Sequence, residues 1–548
     1  MNIMASAPTL ATAPTADLYD GIKRAFPQEL FPWDDYFLRM AETDFLAGRA
    51  DTPAVKSYFV RRAPFGGSYM LLGGITAALR LINELRFNTP EFADGLRRMN
   101  YTQKFIDHMT KRKGLFKIKV YAPPEGTPFF PNEPIISIEG PSLELRLADA
   151  IIISENNFAS LSLTKWNRLV RVARPGGVME FSRRRAQNQM KASLYGMLAG
   201  CVATSNAELG RYLQVPVRGT MGHEWMQSFA SVREAFDTWL THQPHLPVGL
   251  VDTVRCMEVD FPEWLDAVYR HRDAIKKANP ALWGWRNDSG DLAYLSIEQY
   301  DRFFRHRLAG DPWFAERMRI FLTNELDEYA IASIISQIST ESRAAGFNAE
   351  DLLRRIVWAA GTKPGVCEDE PAIGGVMKLM ESDGKPCIKL ALDADGRVGI
   401  KTSIPGFNLS ALVRNKAGEA MGILLYPARR YNVTPEGKLF DSIKNRVVET
   451  LQMIHPDNES LTQELSDYTV TARQKVVFDG GLTKSWELYA PTIQSVQALV
   501  KKATDELPWW ISRIEKPHSF PVSVTPDLFK LRQQMIRDNA LQSVYPIF

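Results

Sequence analysis

Strand-like and helical segments alternate through the middle of this chain, between residues 216 and 361. The strand-like segments are short, apolar and bounded by Gly, Pro or polar residues, and they read PVRGT, VGLVDTV, LWGWRNDSG, RIFLTN and IVWAAG. Helical stretches fall between them at 261–277, 297–308 and 325–345. Strand, loop and helix in repeated order are typical of βαβ units, whose strands run in parallel. The pattern predicts an α/β fold, a TIM-like (β/α) barrel that is irregular because no internal sequence repeat accompanies it.

The rest of the chain predicts a second domain of mixed composition. The N-terminus is rich in Ala, Pro and Thr, which indicates a mobile tail. FKIKVYA and PIISIEG read as strands, apolar residues over 67–87 have helical spacing, and a long helical pattern begins at Leu143. The expected order is a tail over 1–15, an α+β domain over 16–142, the barrel over 143–380 and a C-terminal part over 381–548. We expect the C-terminal part to pack with the N-terminal domain.

The composition gives no global reason to expect nucleic acid or a membrane as partner. Lys and Arg number 66 against 63 Asp and Glu, a net charge of +3. No apolar run reaches the roughly 18 residues of a membrane span, and the N-terminus lacks the features of a secretory signal. The four cysteines are widely spaced without a CxxC pair, which predicts neither disulfides nor zinc and favours a cytoplasmic location.

The segment RGTMGHEWMQSF, residues 218–229, combines one histidine with glycines and an acid. Backbone N–H groups beside Gly219 and Gly222 could surround an anion, as glycine-rich turns do. His223 directly precedes Glu224, and a His–Glu pair could hold the imidazole in one tautomer, ready to accept a phosphoryl group. A lone histidine in such a turn is more often structural, so the segment gains weight from the motifs that follow it.

Two further motifs place charged residues in loops. In WGWRNDSGDL, Arg286, Asp288 and Asp291 surround a Ser-Gly turn. Two carboxylates at this spacing can hold Mg²⁺ or ribose hydroxyls, and an arginine can bind a carboxylate or phosphate. An Asx or Ser turn with surface charge explains these residues equally well. In EFSRRRAQ, Arg184 and Arg185 belong to a basic run that is either an anion site or a solvated face.

Weaker signals lie at the ends of three predicted strands. Asp252 follows VGLV, Asn324 follows RIFLT, and the pair Gly361 and Thr362 follows IVWAA. Carboxylate and amide groups there would suit a ribose, and the N–H groups of the Gly-Thr turn would suit a phosphate. A helix N-cap explains Asn324 as well.

In this order the motifs resemble those of the nicotinate phosphoribosyltransferase family, within the type II phosphoribosyltransferases. Other matching pieces are DLY, RRAPFGGSYMLLGG, NNFASLSLTKWNR, KTSIPGFN, YAPTIQSVQ and PHSFPVSVTPDLFKLR, so the resemblance runs from about Asp17 to the C-terminal segment. It implies transfer of phosphoribosyl from 5-phosphoribosyl 1-pyrophosphate to nicotinate, coupled to ATP hydrolysis. Nicotinate mononucleotide and pyrophosphate would be the products, in NAD salvage.

The resemblance also implies a catalytic apparatus. ATP would phosphorylate His223, and Glu224 and Asp288 would be further catalytic residues. The cofactor Mg²⁺ would be bound by Asp288 and Asp291.

For the substrates, the resemblance implies stacking and charge contacts. Phe181 would stack on the pyridine ring, and Arg184 with Arg185 would meet the nicotinate carboxylate or pyrophosphate. Tyr19 would reach nicotinate from the partner subunit of a homodimer. The remaining substrate contacts would be Ser205, Thr220, Asp252, Arg286, Asn324, Gly361 and Thr362.

Two alternatives remain open at this point. The chain departs from the family pattern at Lys23, Ser182 and Ala359, where methionine, glycine and glycine are usual, and these departures alone support a non-catalytic, ligand-binding relative. The family's nicotinamide phosphoribosyltransferases share the motifs but tend to carry an Asp, which accepts the amide NH₂, at the position of Ser205. The serine favours the acid as substrate.

Overall fold

The computed structural model describes residues 17–115, 117–344, 346–392, 398–399, 401–489 and 491–544. The predicted tail over 1–15 lies outside the described residues. The chain divides into two compact units. We call Ser162–Asp369 the central unit, and Asp17–Leu161 with Glu370–Phe548 the flanking unit.

The first part of the flanking unit mixes short strands with helices and ends in one long helix. The strands are β1 (Pro53–Val60), β2 (Met70–Leu71), β3 (Lys119–Ala122), β4 (Pro128–Phe129) and β5 (Ile136–Pro141). The helices are α1 (Leu18–Ala25), α2 (Asp35–Leu46), α3 (Ile75–Glu84), α4 (Pro90–Arg98), α5 (Gln103–Thr110) and α6 (Ser142–Val172).

The long helix α6 begins where the sequence places the start of the barrel domain, yet the central unit begins later, at Ser162. Early side chains of α6 are held by one buried and one half-buried ion pair within the flanking unit. Asp149 Oδ2 accepts a hydrogen bond from Lys56 Nζ at 2.6 Å, and Arg146 Nε donates to Asp44 Oδ2 at 2.5 Å. Helical periodicity marks where a helix begins but not where its packing partners change.

The central unit is built on six described strands that pair in parallel. They are β6 (Gly177–Glu180), β7 (Ala203–Thr204), β8 (Val248–Leu250), β9 (Trp283–Asn287), β10 (Met318–Leu322) and β11 (Ile356–Ala360). Their order in the sheet is β7-β6-β11-β10-β9-β8, and every pairing is parallel. The predicted parallel α/β architecture is confirmed, and among the described residues the sheet is open, with β7 and β8 at its edges.

Helices follow the strands of the central unit. They are α7 (Gln189–Ala199), α8 (Ala207–Leu213), α9 (His223–Gln227), α10 (Val232–His242), α11 (Phe261–Arg270), α12 (Arg272–Ala278), α13 (Leu292–Arg305), α14 (Pro312–Arg317), α15 (Glu328–Ala344), α16 (Ala349–Arg355) and α17 (Thr362–Val366), with a π-helix at Cys256–Asp260 and a 3₁₀ turn at Arg307–Gly310. Apolar side chains on one face of the sheet form a buried cluster of Met179, Ala203, Val248, Phe321, Val357 and Ala359. One expected strand, PVRGT, makes only an isolated bridge, Thr204 to Val217.

The second part of the flanking unit is mainly β-structure. The strands are β12 (Gly375–Ser382), β13 (Lys385–Pro386), β14 (Asn408–Asn415), β15 (Ala420–Pro427), β16 (Tyr431–Val433), β17 (Leu439–Asp441), β18 (Arg446–Val447), β19 (Leu451–His455), β20 (Asn458–Leu465), β21 (Tyr468–Ala472), β22 (Lys475–Asp479) and β23 (Val522–Val524). The helices are α18 (Lys484–Tyr489), α19 (Ile493–Asp505), α20 (Trp509–Ser512) and α21 (Pro526–Val544).

Strands from both parts of the flanking unit form one six-stranded sheet, β13-β12-β1-β5-β3-β22. A second sheet has the order β20-β19-β23-β15-β14-β21. Because β12 pairs with β1 along its length, the chain has already returned to the flanking unit at Gly375, before the predicted boundary at 380. No described helix is both long enough and apolar enough to cross a membrane.

Candidate active site

The parallel strands of the central unit bring most of the predicted site residues to one edge of the sheet. Phe181 directly follows β6, Ser205 follows β7 and Asp288 follows β9. Asn324 and Gly361 come shortly after β10 and β11. Since the carboxyl ends of parallel strands share one edge, these loops lie on the same side of the sheet.

His223 is the first residue of helix α9, and its side chain is 39% exposed. Its Nδ1 lies 3.2 Å from the hydroxyl of Thr253. Its Nε2 lies 3.8 Å from Asp252 Oδ1 and 3.7 Å from Asp288 Oδ2. These carboxylate distances are too long for hydrogen bonds but short enough for strong electrostatic interaction. The imidazole therefore has one nitrogen against a hydroxyl and the other between two acids.

Asp252 is fixed by the loop that follows β9. Its Oδ2 accepts hydrogen bonds from the backbone N–H of Asp288 at 2.8 Å and from the Ser289 hydroxyl at 2.7 Å. Its Oδ1, the oxygen nearest His223, accepts no hydrogen bond from any described residue. Asp288 is held in turn by a hydrogen bond from the Thr323 hydroxyl to its Oδ1. One oxygen of each acid is thus anchored and the other is left facing the histidine.

Arg286 adds a cation beside these acids. Its side chain is only 12% exposed, and Nη2 donates to the carbonyl of Met221 at 3.3 Å and lies 3.9 Å from Asp288 Oδ2. Burial lowers the pKa of the guanidinium, while Asp288 and Asp252 raise it and Arg184 lowers it. The group stays charged at neutral pH because arginine titrates far above that range.

Glu224 does not contact His223 in the described structure. It is exposed, and no hydrogen bond or ion pair joins the two side chains among the described residues. Neighbouring residues of a helix point in different directions, so the acid next to His223 in sequence is not its neighbour in space. The hydroxyl of Thr253 occupies the place that the sequence assigned to the acid. A catalytic role for Glu224 stays a prediction, without that contact as support.

Asp291 is engaged at the start of helix α13. Its Oδ1 accepts hydrogen bonds from the backbone N–H groups of Ala293 and Tyr294, and Gln337 donates to both of its oxygens. It is the helix N-cap. The predicted pairing of Asp291 with Asp288 around a metal therefore competes with this capping role.

Two turns carry the predicted phosphate contacts. The hydroxyl of Thr220 is half-buried and donates to the carbonyl of Met221 at 3.3 Å. Thr362 is exposed and begins helix α17. Gly361 lies so close to Phe181 that a Cβ there would be 2.7 Å from the Phe181 carbonyl oxygen.

The loop after β6 presents the aromatic ring and the arginine pair. The N–H of Phe181 donates to the carbonyl of Ala360 at 2.7 Å, and the side chain is half-buried. Arg184 and Arg185 are both exposed in the turn that follows. The guanidinium groups are accessible, and their contact with an anionic substrate stays a prediction.

Asn324 and its neighbour Glu325 adopt left-handed backbone conformations, with φ of 104° and 46°. Such conformations cost energy for residues other than glycine and concentrate in functional loops. Asn324 is exposed, and Asp327 accepts from the Ala330 N–H at the start of α15, so the N-cap explanation of Asn324 does not hold.

Tyr19 lies in the flanking unit. Its hydroxyl accepts a hydrogen bond from Asn83 Nδ2 at 3.2 Å and lies 3.5 Å from Glu84 Oε1. Burial is the main cause that raises its pKa. Its contact with nicotinate across a subunit interface stays a prediction.

Sequence reasoning missed two residues that shape this site. Thr253 stands next to Asp252 in VDT, and its hydroxyl faces the histidine. Asp260 is fully buried, and its Oδ2 accepts from the N–H of Val254 at 2.7 Å, which holds the same turn. The only sequence signal for Asp260 is that it is a second aspartate in VDTVRCMEVD, eight residues after Asp252.

Open α/β sheets bind their ligands beyond the carboxyl ends of the strands, and here that edge gathers a histidine, two acids and arginines. Arginines and a histidine suit phosphorylated substrates. The fold and site together define an α/β enzyme of that class.

Known proteins that resemble this chain identify its family. Models of the nicotinate phosphoribosyltransferase N-terminal and C-terminal domains match residues 32–155 and 439–532. A nicotinate phosphoribosyltransferase of Mycobacterium tuberculosis is 30% identical over 64% of this chain and 70% of its own length. One of Bacillus subtilis is 27% identical over 92% of this chain and 94% of its own length. This chain belongs to the nicotinate phosphoribosyltransferase family.

A solved structure shows the same fold. The crystal structure of human nicotinic acid phosphoribosyltransferase superposes with a TM-score of 0.72 at 22% identity, covering 92% of this chain and 99% of that one. Nicotinate-nucleotide pyrophosphorylase from Pyrococcus furiosus superposes with a TM-score of 0.57 at 16% identity, over 86% and 94% of the two chains. The family predicted from the motifs is confirmed.

Proposed function

We propose that this chain transfers the phosphoribosyl group of 5-phosphoribosyl 1-pyrophosphate to nicotinate, with coupled hydrolysis of ATP. The products are nicotinate mononucleotide and pyrophosphate, and the step belongs to NAD salvage. The observation that carries the proposal is His223 Nε2 at 3.8 and 3.7 Å from Asp252 and Asp288, in a chain of this family.

The charge changes of the transfer reaction fit the groups at the sheet edge. The ring nitrogen of nicotinate bonds to the anomeric carbon as the bond from that carbon to pyrophosphate breaks. Negative charge grows on the departing pyrophosphate, and the cations Arg184, Arg185 and Arg286 suit it. Phe181, directly after β6, would stack on the ring and hold it in line.

The contacts of His223 favour phosphorylation at Nε2. When Nδ1–H donates to the Thr253 hydroxyl, Nε2 carries the lone pair. Nε2 then attacks the γ-phosphorus of ATP, and the bond from that phosphorus to the ADP oxygen breaks. Asp252 and Asp288 stabilise positive charge on the imidazole during this attack.

The two acids also suit Mg²⁺. Asp252 Oδ1 and Asp288 Oδ2 both face His223, and Asp288 Oδ2 also lies 3.9 Å from Arg286 Nη2, whereas Asp291 is used as a helix cap. Among the described residues no group of three or more His, Cys, Asp or Glu could hold a metal ion, so phosphate oxygens of the substrates would have to complete the coordination of Mg²⁺. Bound there, Mg²⁺ would neutralise phosphate charge beside the acids.

We extend the proposal to the architecture and assembly. Each parallel strand of the central unit is followed by a helix, and apolar side chains fill one face of the sheet, which supports an irregular TIM-like barrel. A homodimer in which Tyr19 completes the partner's site follows from the family resemblance. All four cysteines are free thiols, which supports a reducing, cytoplasmic location.

The direct test is pyrophosphate release with nicotinate or nicotinamide, each with and without ATP. We expect nicotinate to be preferred and ATP to stimulate turnover. Incubation with γ-labelled ATP should give an acid-labile, base-stable label. The label and the ATP stimulation should vanish in His223→Ala, while the exposed control His242→Ala keeps both. Unchanged labelling of His223→Ala, or a preference for nicotinamide, would contradict the proposal.

A further inference from the structure

Glu180 is a fully buried carboxylate at the carboxyl end of β6, directly before Phe181. Its Oε1 accepts hydrogen bonds from the backbone N–H of Ser182 at 2.6 Å and from the Ser182 hydroxyl. Its Oε2 accepts from the hydroxyl of Thr204 on the neighbouring strand. No Lys or Arg forms an ion pair with it in the described part of the chain. Hydrogen bonds alone therefore satisfy this buried acid.

The partners of Glu180 belong to two different loops of the site. Ser182 lies in the loop that carries Phe181, and Thr204 directly precedes Ser205. The backbone carbonyl of Glu180 also accepts from the N–H of Ser205 at 2.8 Å. Glu180 thus connects Phe181, which is predicted to stack on the pyridine ring, with Ser205, which is predicted to favour nicotinate over nicotinamide.

Thr204 also forms hydrogen bonds with a third loop, the segment that precedes His223. Its hydroxyl accepts from the N–H of Asn206 at 2.9 Å, which shapes the turn around Ser205. Its backbone N–H donates to the carbonyl of Pro216 at 3.0 Å, and its carbonyl accepts from the N–H of Arg218 at 2.9 Å. The segment that leads to His223 is therefore attached to the same residue that Glu180 binds.

The carboxylate has little room to move. A Cβ on Gly196 of α7 would lie 2.8 Å from Glu180 Cγ. A Cβ on Gly365 of α17 would lie 2.3 Å from Ser182 Cβ. Close packing from two helices holds both the acid and its donor in place, since protein interiors do not yield to displacements of this size without cost.

We propose that Glu180 is a positioning residue that sets the spacing between Phe181 and Ser205, and with it the fit of the pyridine ring. The inference rests on the proposed function and on the predicted contacts of Phe181 and Ser205 with the ring. Loss of the connection should weaken binding of nicotinate selectively. Phosphorylation of His223 depends on Asp252, Thr253 and Asp288, which lie outside these two loops, and should be retained.

Three variants test the connection. Glu180→Gln keeps an acceptor for Ser182 but presents an NH₂ group to the Thr204 hydroxyl, which then has no acceptor. Thr204→Val removes the hydroxyl, and Thr204→Ser restores it. The control Ser296→Ala removes a buried hydroxyl that donates within α13, away from these loops.

We expect the KM for nicotinate to rise by about tenfold in Glu180→Gln and Thr204→Val, the size of losing one hydrogen bond to a charged group. The labelling of His223 should stay within about twofold of the wild-type level. Thr204→Ser and Ser296→Ala should resemble the wild type. A lower kcat or Tm with an unchanged KM for nicotinate would overturn the inference, because it would show a purely structural role.

Hydrogen exchange of the free enzyme gives a readout that needs no turnover. Peptides covering 181–186 and 203–218 should exchange faster in Glu180→Gln and Thr204→Val but not in Thr204→Ser. Unchanged exchange would overturn the connection between the loops. If the wild type does not turn over nicotinate but exchange responds as expected, the proposed function fails and the connection stands. If Glu180→Gln does not fold, the Thr204 pair still decides.

Discussion

Ser205 contributes to the proposed choice between a carboxylate and a carboxamide on the pyridine ring. A new carboxylate at this position would face the nicotinate carboxylate in a half-buried pocket. At about 4 Å and an effective dielectric near 20, the repulsion is on the order of a few kcal/mol. We expect Ser205→Asp to lower nicotinate affinity by at least about tenfold and to shift preference towards nicotinamide, measured as kcat/KM for both substrates.

The neutral variant Ser205→Asn controls for size in this experiment and should change the preference much less. Ser205 does not cap the next helix, because the Asn206 side chain caps α8 by accepting a hydrogen bond from the N–H of Leu209. Equal effects of Ser205→Asp on both substrates would rule out the charge mechanism.

Gly361 allows the loop after β11 to approach the loop after β6. A Cβ there would lie 2.7 Å from the Phe181 carbonyl oxygen, so Gly361→Ala must displace one of the two backbones. We expect a loss of about 1–3 kcal/mol in unfolding free energy and a raised KM for 5-phosphoribosyl 1-pyrophosphate. Thermal unfolding and initial-rate kinetics measure both. The control Gly310→Ala adds a Cβ that would meet no atom within 4 Å, so it should leave both unchanged.

At the scale of elements, the turn between β8 and α11 holds Asp252 and Thr253 against His223. Asp260 is the last residue of the π-helix Cys256–Asp260. Its carboxylate accepts hydrogen bonds from the backbone N–H groups of Val254, Thr253 and Arg255. Burial is the largest cause of a raised pKa for this carboxyl, opposed by those backbone donors. The turn therefore carries an acid whose ionised form is disfavoured by the fold.

This raised pKa predicts a pH-dependent effect of Asp260→Asn. The wild type loses stability as pH rises from the unfolded-state pKa of Asp, about 3.9, through the higher folded-state value, and the amide does not titrate. The difference in Tm, variant minus wild type, should therefore be more positive at about pH 7 than at about pH 4. A difference in Tm that is independent of pH would contradict the raised pKa.

The sequence predicts the longer elements well because their apolar periodicity is clear. Four of the expected strands correspond to β8–β11, and the long helix from Leu143 is α6. The segment 67–87 is only partly helical: α3 begins at Ile75, because Met70 and Leu71 pair with β4 and Gly74 has a left-handed φ of 95°. Strands β6 and β7 were not expected from the sequence, and the two residues of β7 are too few for a periodic signal.

The sequence predicts which site residues lie at the ends of the parallel strands, but it does not predict which side chains contact one another there. Parallel strands bring Asp252 and Asp288 to one edge whatever the loops do. The partners of His223 depend on loop conformation, which no spacing specifies, so Thr253 was missed and Glu224 was chosen for its proximity in sequence. The same holds for Glu180, whose role depends on two hydroxyls in separate loops.

At the scale of the whole molecule, burial disfavours the thiolate form of all four cysteines, two of which are buried and two half-buried. Burial raises the pKa of Cys256 and Cys367 to about 12 and also raises those of Cys201 and Cys387. Very little thiolate is present at neutral pH, and the thiolate is the reactive form. We expect iodoacetamide to modify the native protein slowly without loss of activity, and to label four sites rapidly in guanidinium, as counted by mass spectrometry. Rapid labelling of the native protein would contradict these pKa shifts.

The division of the chain into two units has a consequence for its synthesis on the ribosome. The central unit, Ser162–Asp369, is continuous, so every contact within it forms between residues made in one stretch. The flanking unit is made of two separate stretches of the chain. Strand β1 cannot pair with β12 until β12 is made, more than three hundred residues later, and β3 likewise cannot pair with β22 until β22 is made. Until those strands emerge, the edge of β1 stays open to pairing with other chains. During synthesis the chain is therefore exposed to aggregation at the edges of β1 and β3, and that exposure ends when β12 and β22 emerge.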